Sequence, residues 1–116
     1  MQRTWDGSGA AATALRELVA TFDRRVLENP RDLNLHLANL LAGQGLMKER
    51  ALISAASDTG IAADLLRLMN AGVSESRAVQ IVAARLVGQT QFEESGCRWV
   101  TVAFARALGF EVSESA

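Results

Sequence analysis

Apolar residues recur at helical spacing along most of this chain, and glycines interrupt the pattern repeatedly. The clearest stripe follows the i, i+3, i+4, i+7, i+11 spacing of one helix face and comprises Leu15, Leu18, Val19, Phe22 and Val26. No segment shows the sustained period-two alternation of a half-buried strand. The pattern therefore predicts an all-α fold, a compact bundle of five or six short helices.

Turn and capping residues suggest where these helices begin and end. Asn29 and Pro30 suit the N-cap and the first position of a helix. Thr90 and Glu93 have the S/T-x-x-E spacing of a capping box, which predicts a helix start near Gln91. The predicted helices cover roughly residues 10–28, 31–42, 47–59, 61–71, 75–87 and 91–108, and most of them end at a glycine.

The length of 116 residues, 49% of them hydrophobic, predicts one domain. We expect a flexible N-terminal segment over residues 1–9, a helical bundle over 10–110 and a flexible tail over 111–116. The longest uncharged stretch, residues 33–47, falls short of the about 20 apolar residues of a membrane span. The N-terminus lacks an apolar secretory core, and the single cysteine cannot form an internal disulfide. These features predict a cytoplasmic protein without membrane association.

Residues suited to catalysis are few. The chain has one His, one Cys and no Tyr, so Cys97 and His36 form the only candidate nucleophile–base pair. No cluster of His, Cys and carboxylates has metal-ligand spacing. The glycines of DGSGAAAT lack the lysine and the preceding strand of a phosphate loop. We therefore expect a non-enzymatic protein with no cofactor and no metal.

The stretch CRWVTVAFARALGF, residues 97–110, has only two charges, Arg98 and Arg106, and predicts a helix with two apolar faces. In one interpretation the helix is buried at the centre of the bundle, and Trp99 fills space in the core. In the other, Trp99, Val102 and Arg106 face a partner, since tryptophan and arginine are enriched at the energetic centres of interfaces. Met69 is a more distant candidate for the same surface, because methionine adapts to varied partners. The partner is then another protein or a second copy of the chain, so a homo-oligomer is one outcome.

Residues 48–71 suggest an alternative, a DNA-binding regulator of the helix-turn-helix type. Ala56, Gly60, Ile61 and Leu66 approximate the spacing of that motif. The recognition helix would be IAADLLRLMNA, whose polar side chains are limited to Asp64, Arg67 and Asn70. The chain has 12 basic and 13 acidic residues and no basic run, which argues against nucleic acid as a partner.

Four short motifs together resemble a small helical domain that recurs in bacterial multidomain proteins. The motifs are Asn29-Pro30-Arg31, residues 49–55 with the pattern E-R-x-L-I-x-A, residues 60–66 with the pattern G-I-x-x-x-L-L, and residues 98–109, which resemble R-W-x-V-x-x-W/F-A-x-A-L-G. The resemblance covers about residues 15–110. Phe104 stands where that family often has a second tryptophan, and Cys97 where a small residue is usual.

In that family the domain is usually attached to kinase, J-domain, zinc-ribbon or similar signalling and stress modules, and it has no assigned catalysis. The resemblance implies an adaptor role. We therefore expect a non-enzymatic interaction domain that binds through packing of a helix face.

Overall fold

The computed structural model describes residues 5–6 and 9–110, and in this part of the chain all regular secondary structure is helical. The α-helices are α1 (Ala10–Phe22), α2 (Pro30–Leu40), α3 (Met47–Thr59), α4 (Ile61–Asn70), α5 (Glu75–Gln89) and α6 (Glu94–Ala107), and a short 3-10 helix, Arg24–Glu28, lies between α1 and α2. The prediction of an all-α bundle of short helices is confirmed. None of these helices combines the length and the apolar character that crossing a membrane requires.

Helix α6 is the central helix of the bundle. It contacts α1, α3, α4 and α5, and every residue from Trp99 to Ala105 is buried. Both of its apolar faces are therefore covered within the same chain. The structure agrees with the interpretation of residues 97–110 as a helix buried at the centre of the bundle.

The first predicted helix, residues 10–28, is in fact two elements. Helix α1 ends at Phe22 because Asp23 adopts a left-handed φ of 85°, and the chain continues as the 3-10 helix. This break lets both Val26 and Leu27 enter the core. The carbonyl oxygen of Leu27 accepts a hydrogen bond of 2.7 Å from the buried hydroxyl of Ser57 on α3. Tertiary packing thus overrides the continuous helical pattern of the sequence.

The predicted capping box at Thr90 and Glu93 is wrong. The Thr90 hydroxyl donates to the Leu86 carbonyl oxygen at 2.8 Å and so closes the end of α5. Its oxygen also accepts a bond of 3.4 Å from the Phe92 backbone N–H in the connecting turn. Helix α6 begins only at Glu94, without a side-chain cap. Helix α5 also continues through Gly88, where it was expected to end, as far as Gln89.

Other predicted boundaries are confirmed. The Asn29 side chain accepts a hydrogen bond from the Asp32 backbone N–H, and Pro30 occupies the first turn of α2. Ser74 caps α5 through the N–H of Arg77. Gly60, with a left-handed φ of 83°, joins α3 directly to α4. At these positions local capping chemistry determines the fold.

Candidate interaction surface

The four residues predicted to bind a partner do not form one exposed surface. Trp99 is only 7% exposed and Val102 is 2% exposed, because both lie on the part of α6 that its neighbours enclose. Met69 on α4 is partly buried and packs against the core. Arg106 is exposed near the end of α6. In this structure Trp99 and Val102 are thus not accessible to a partner.

Trp99 is covered by another tryptophan, Trp5, from the N-terminal segment. The two indoles stack with ring centroids 5.9 Å apart and an interplanar angle of 17°. The Trp5 Nε1–H donates to the Ser95 hydroxyl at 3.2 Å. The Lys48 ammonium group lies 4.7 Å from the centroid of the Trp5 ring, within the range of a cation–π interaction. Trp5 therefore joins α3 to α6 and closes the core over Trp99.

Asp6 fixes the same segment through its backbone and its side chain. Its N–H donates to a carboxylate oxygen of the buried Glu49 at 3.0 Å. Its own carboxylate accepts from the backbone N–H groups of Ala11 and Ala12 at 2.9 and 3.0 Å. Gly9, at the N-cap position, has no side chain for this purpose, so Asp6 supplies the cap of α1 from three residues earlier.

Trp5 and Asp6 lie within the segment predicted to be flexible, yet both pack against the bundle. The predictions for residues 1–4, 7–8 and 111–116 lie outside the described residues. Neither Trp5 nor Asp6 was singled out from the sequence. The only local indication was an aspartate shortly before a helix whose N-cap residue is a glycine.

An exposed apolar cluster lies where the end of α1 meets α2. The rings of Phe22 and His36 stack with centroids 4.4 Å apart and an interplanar angle of 21°. Leu40 lies one turn beyond His36 on α2, and Val19 lies one turn before Phe22 on α1. Phe22 is 51% exposed and Leu40 is 43% exposed. We call these four residues, Val19, Phe22, His36 and Leu40, the α1–α2 patch.

The patch corrects one prediction from the helical pattern. Phe22 continues the stripe of Leu15 and Leu18, which are both buried, but it lies on the last turn of α1, beyond the edge of the core. Its exposure could have been anticipated from the charged residues that follow it, Asp23, Arg24 and Arg25, which are typical of a surface segment.

Cys97 and His36 do not form a nucleophile–base pair. The Cys97 thiol is buried, contacts the Phe92 carbonyl oxygen at 3.8 Å and lies 3.9 Å from the Thr90 hydroxyl. His36 instead stacks on Phe22. Burial raises the pKa of the Cys97 thiol above its ordinary value of 9.0, and the hydrogen bond with Thr90 offsets this only in part. A buried thiol with a raised pKa is a poor nucleophile.

The described residues contain no group of three or more His, Cys, Asp or Glu side chains that could hold a metal ion. The acidic residues of the interior act within the fold instead. Glu49 accepts the N–H of Asp6, and Asp6 caps α1. The carboxylates of Glu49 and Asp6 thus accept hydrogen bonds that stabilise the fold.

The arrangement of α3 and α4 differs from that of a DNA-binding helix-turn-helix. One residue, Gly60, connects the two helices, whereas a helix-turn-helix has a turn of three or four residues. The outward face of α4 carries Arg67, whose guanidinium is 2.8 Å from the Asp64 carboxylate. The other Asp64 oxygen lies 3.9 Å from Arg85. A carboxylate thus shares the surface that would approach the phosphates.

Comparison with known proteins returns no match for this chain, either to a protein family, to a curated protein or to a solved structure.

Proposed function

We propose that this chain is a non-enzymatic protein–protein interaction domain that binds an apolar helix face of another protein through the α1–α2 patch. The observation that carries the proposal is the exposed stack of Phe22 on His36. Single exposed leucines are ordinary on soluble proteins, whereas a contiguous aromatic and apolar cluster is typical of a binding surface.

The patch is suited to binding because its aromatic rings are already held in place. Phe22 and His36 belong to different helices, and each ring restricts the other through the stack. A partner would therefore restrict few further side-chain rotations when it covers them, which lowers the entropic cost of association. Leu40, one turn beyond His36, adds an exposed apolar side chain, and Val19, one turn before Phe22, is partly buried against the core. A helix with apolar side chains at i, i+3 and i+4 could cover this surface.

The chemistry of the site supports a binding role over a catalytic one. The chain's one thiol is buried, and its one imidazole is stacked against an apolar ring. The DNA-binding alternative has less support than protein binding. Its candidate recognition helix carries a cation, Arg67, that is paired with Asp64, and specific base contacts need free polar side chains.

A position-specific photo-crosslink tests the proposal. A photoreactive phenylalanine analogue replaces Phe22, the protein is added to a lysate of its source cells, and the crosslinked products are identified by mass spectrometry. We expect a discrete partner to be captured from position 22. The additional substitution Leu40→Glu should abolish the capture, because a charge then lies within the apolar contact, next to the Phe22–His36 stack.

The matched control places the same photoreactive group at Thr21, an exposed residue adjacent to Phe22 in sequence but on another side of α1. Circular dichroism verifies that the Leu40→Glu variant retains its helices. Identical products from positions 21 and 22, or capture that survives Leu40→Glu, would contradict binding through this patch.

A further inference from the structure

The indole ring of Trp5 lies in a slot between α3 and α6. The slot exists because position 96 has no side chain, since a Cβ atom at Gly96 would come within 2.6 Å of the ring. Lys48 lies over the ring from α3, and Trp99 stacks against it from α6. We call the site the indole slot, and the residues that form it are Lys48, Glu49, Leu52, Ser95, Gly96 and Trp99.

Three polar groups of the indole slot bind separate features of its occupant. The Ser95 hydroxyl accepts the indole N–H at 3.2 Å, a donor that phenylalanine lacks. The Lys48 ammonium group lies 4.7 Å from the ring centroid, and tryptophan is the best ring for a cation–π interaction. The Glu49 carboxylate, only 5% exposed, accepts the backbone N–H of the next residue at 3.0 Å. The slot therefore fits a tryptophan followed by a residue other than proline.

The segment that carries Trp5 can leave the slot while the helices around it stay packed. Trp5 is only partly buried, and both Lys48 and Ser95 are exposed. The ring is held by residues of α3 and α6, and these two helices also contact each other directly. The ends of a chain open at lower free energy than its core helices. Release of the segment therefore leaves a preformed slot, in which Trp99 and Leu52 offer an apolar surface.

We propose that the indole slot is a peptide-binding site, which the chain's own Trp5–Asp6 segment occupies in this structure. A segment of another protein with tryptophan followed by aspartate binds there in its place. The resident segment defines this ligand, because its contacts need only an indole, the next backbone N–H and a carboxylate. A tethered segment competes at an effective concentration on the order of millimolar. The slot lies on α3 and α6 and is separate from the α1–α2 patch.

A synthetic peptide of residues 1–9, MQRTWDGSG, labelled with a fluorophore, tests the proposal. The receptor is the full chain with Trp5→Ala and Asp6→Ala, which removes the indole and the capping carboxylate of the resident segment. Fluorescence anisotropy should show saturable binding of the peptide to this receptor. Wild-type protein should bind it at least about tenfold more weakly, because only the fraction of molecules with a released segment is competent to bind.

Substitutions in the receptor locate the binding site. Adding Gly96→Ala should abolish binding, because the new methyl group lies where the indole would enter. Adding Gly88→Ala is the matched control and should leave binding unchanged, since a Cβ atom there meets no atom within 4 Å. Adding Leu40→Glu should also leave it unchanged, because Leu40 belongs to the α1–α2 patch.

Substitutions in the peptide test its chemistry. Trp5→Phe should weaken binding about two- to tenfold, because the hydrogen bond to Ser95 is lost. Asp6→Pro should weaken it further, because proline has no N–H for the buried Glu49 carboxylate.

Circular dichroism verifies that each receptor retains its helices. If the double variant does not fold, Trp5→Ala alone, which keeps the Asp6 cap, serves as the receptor. Three results would overturn the proposal: no binding to a folded receptor at millimolar peptide, equal binding to receptor and wild type, or binding that survives Gly96→Ala.

Discussion

The indole of Trp5 stacks on the indole of Trp99 at a centroid distance of 5.9 Å. This contact joins the N-terminal segment to the central helix and completes the burial of Trp99. Gly96, one turn before Val100 on α6, makes the stack possible. A Cβ atom at Gly96 would lie 2.6 Å from Cζ2 of Trp5 and 3.0 Å from Cδ2 of Leu52. The absence of a side chain at Gly96 is what admits the tryptophan.

We therefore expect Gly96→Ala to displace Trp5. In a Trp99→Phe background Trp5 is the remaining tryptophan of the chain, so its fluorescence reports its own environment. Gly96→Ala should shift the emission to longer wavelength and increase quenching by acrylamide. Because the new methyl group overpacks the contact, the free energy of unfolding should fall by about 1–3 kcal/mol.

Gly88→Ala on α5 is the matched control, because a Cβ atom there would meet no atom within 4 Å. Gly88 lies in the last turn of α5, where the helical preference of alanine over glycine counts for less than in a helix interior, so this variant should gain at most about 0.5–1 kcal/mol. Emission from Trp5 should not change. Equal emission spectra for the Gly96→Ala and Gly88→Ala variants would contradict the docking of Trp5 against Gly96.

Asp6 should stabilise α1 although it lies outside that helix. Asp6→Ala removes the acceptor of two backbone N–H groups, those of Ala11 and Ala12. Loss of a helix cap costs about 0.5–2 kcal/mol, and urea denaturation measures this loss. Hydrogen exchange should accelerate at the Ala11 and Ala12 amides in particular, since these amides lose their acceptor.

Asp58→Ala serves as the control for the Asp6 variant. Asp58 is exposed near the end of α3, and removing an exposed side chain of this kind should change stability by less than about 0.5 kcal/mol. If the two substitutions had the same effect on stability and on exchange at Ala11 and Ala12, the capping role of Asp6 would be refuted.

The periodic pattern and the capping residues of the sequence were sufficient to predict most of the fold. Leu15 and Leu18 mark the buried face of α1, Asn29 marks the start of α2, and Gly60 marks the end of α3. Each of these features depends on residues within about two helical turns. The buried face of α1, the start of α2 and the end of α3 can therefore be predicted from the local sequence.

The sites that escaped prediction depend on residues distant in sequence. Asp6 and Glu49 are separated by 43 positions, and Ser57 and Leu27 by 30. No local pattern indicates that such groups will meet. The exposure of Phe22 is a different case, because the helical stripe does not reveal where the core ends, whereas the charged residues directly after Phe22 are a local sign of it. The sequence left open whether Trp99 lies in the core or faces a partner, because its burial depends on Trp5, which is distant in sequence.

Cys97 should make stability depend on pH in the alkaline range. Burial raises the pKa of its thiol in the folded state above the ordinary value of 9.0, which applies to the unfolded chain. Below that value both states carry the neutral thiol, and Cys97 adds no pH dependence. As the pH rises further, the unfolded state loses this proton first, so stability falls until the pH passes the folded-state pKa. A comparison with Cys97→Ala isolates the contribution of the thiol from that of the rest of the chain.

Urea denaturation of wild type and Cys97→Ala, at neutral pH and at a series of values above 9.0, measures the difference. The free energy of unfolding should decline more steeply with pH in the wild type, while the variant lacks the part due to the thiol. Alkylation by iodoacetamide gives a second readout, since a buried thiol reacts only when the structure opens. Parallel pH profiles, together with rapid alkylation of the folded protein, would show instead that solvent reaches Cys97 in the native state.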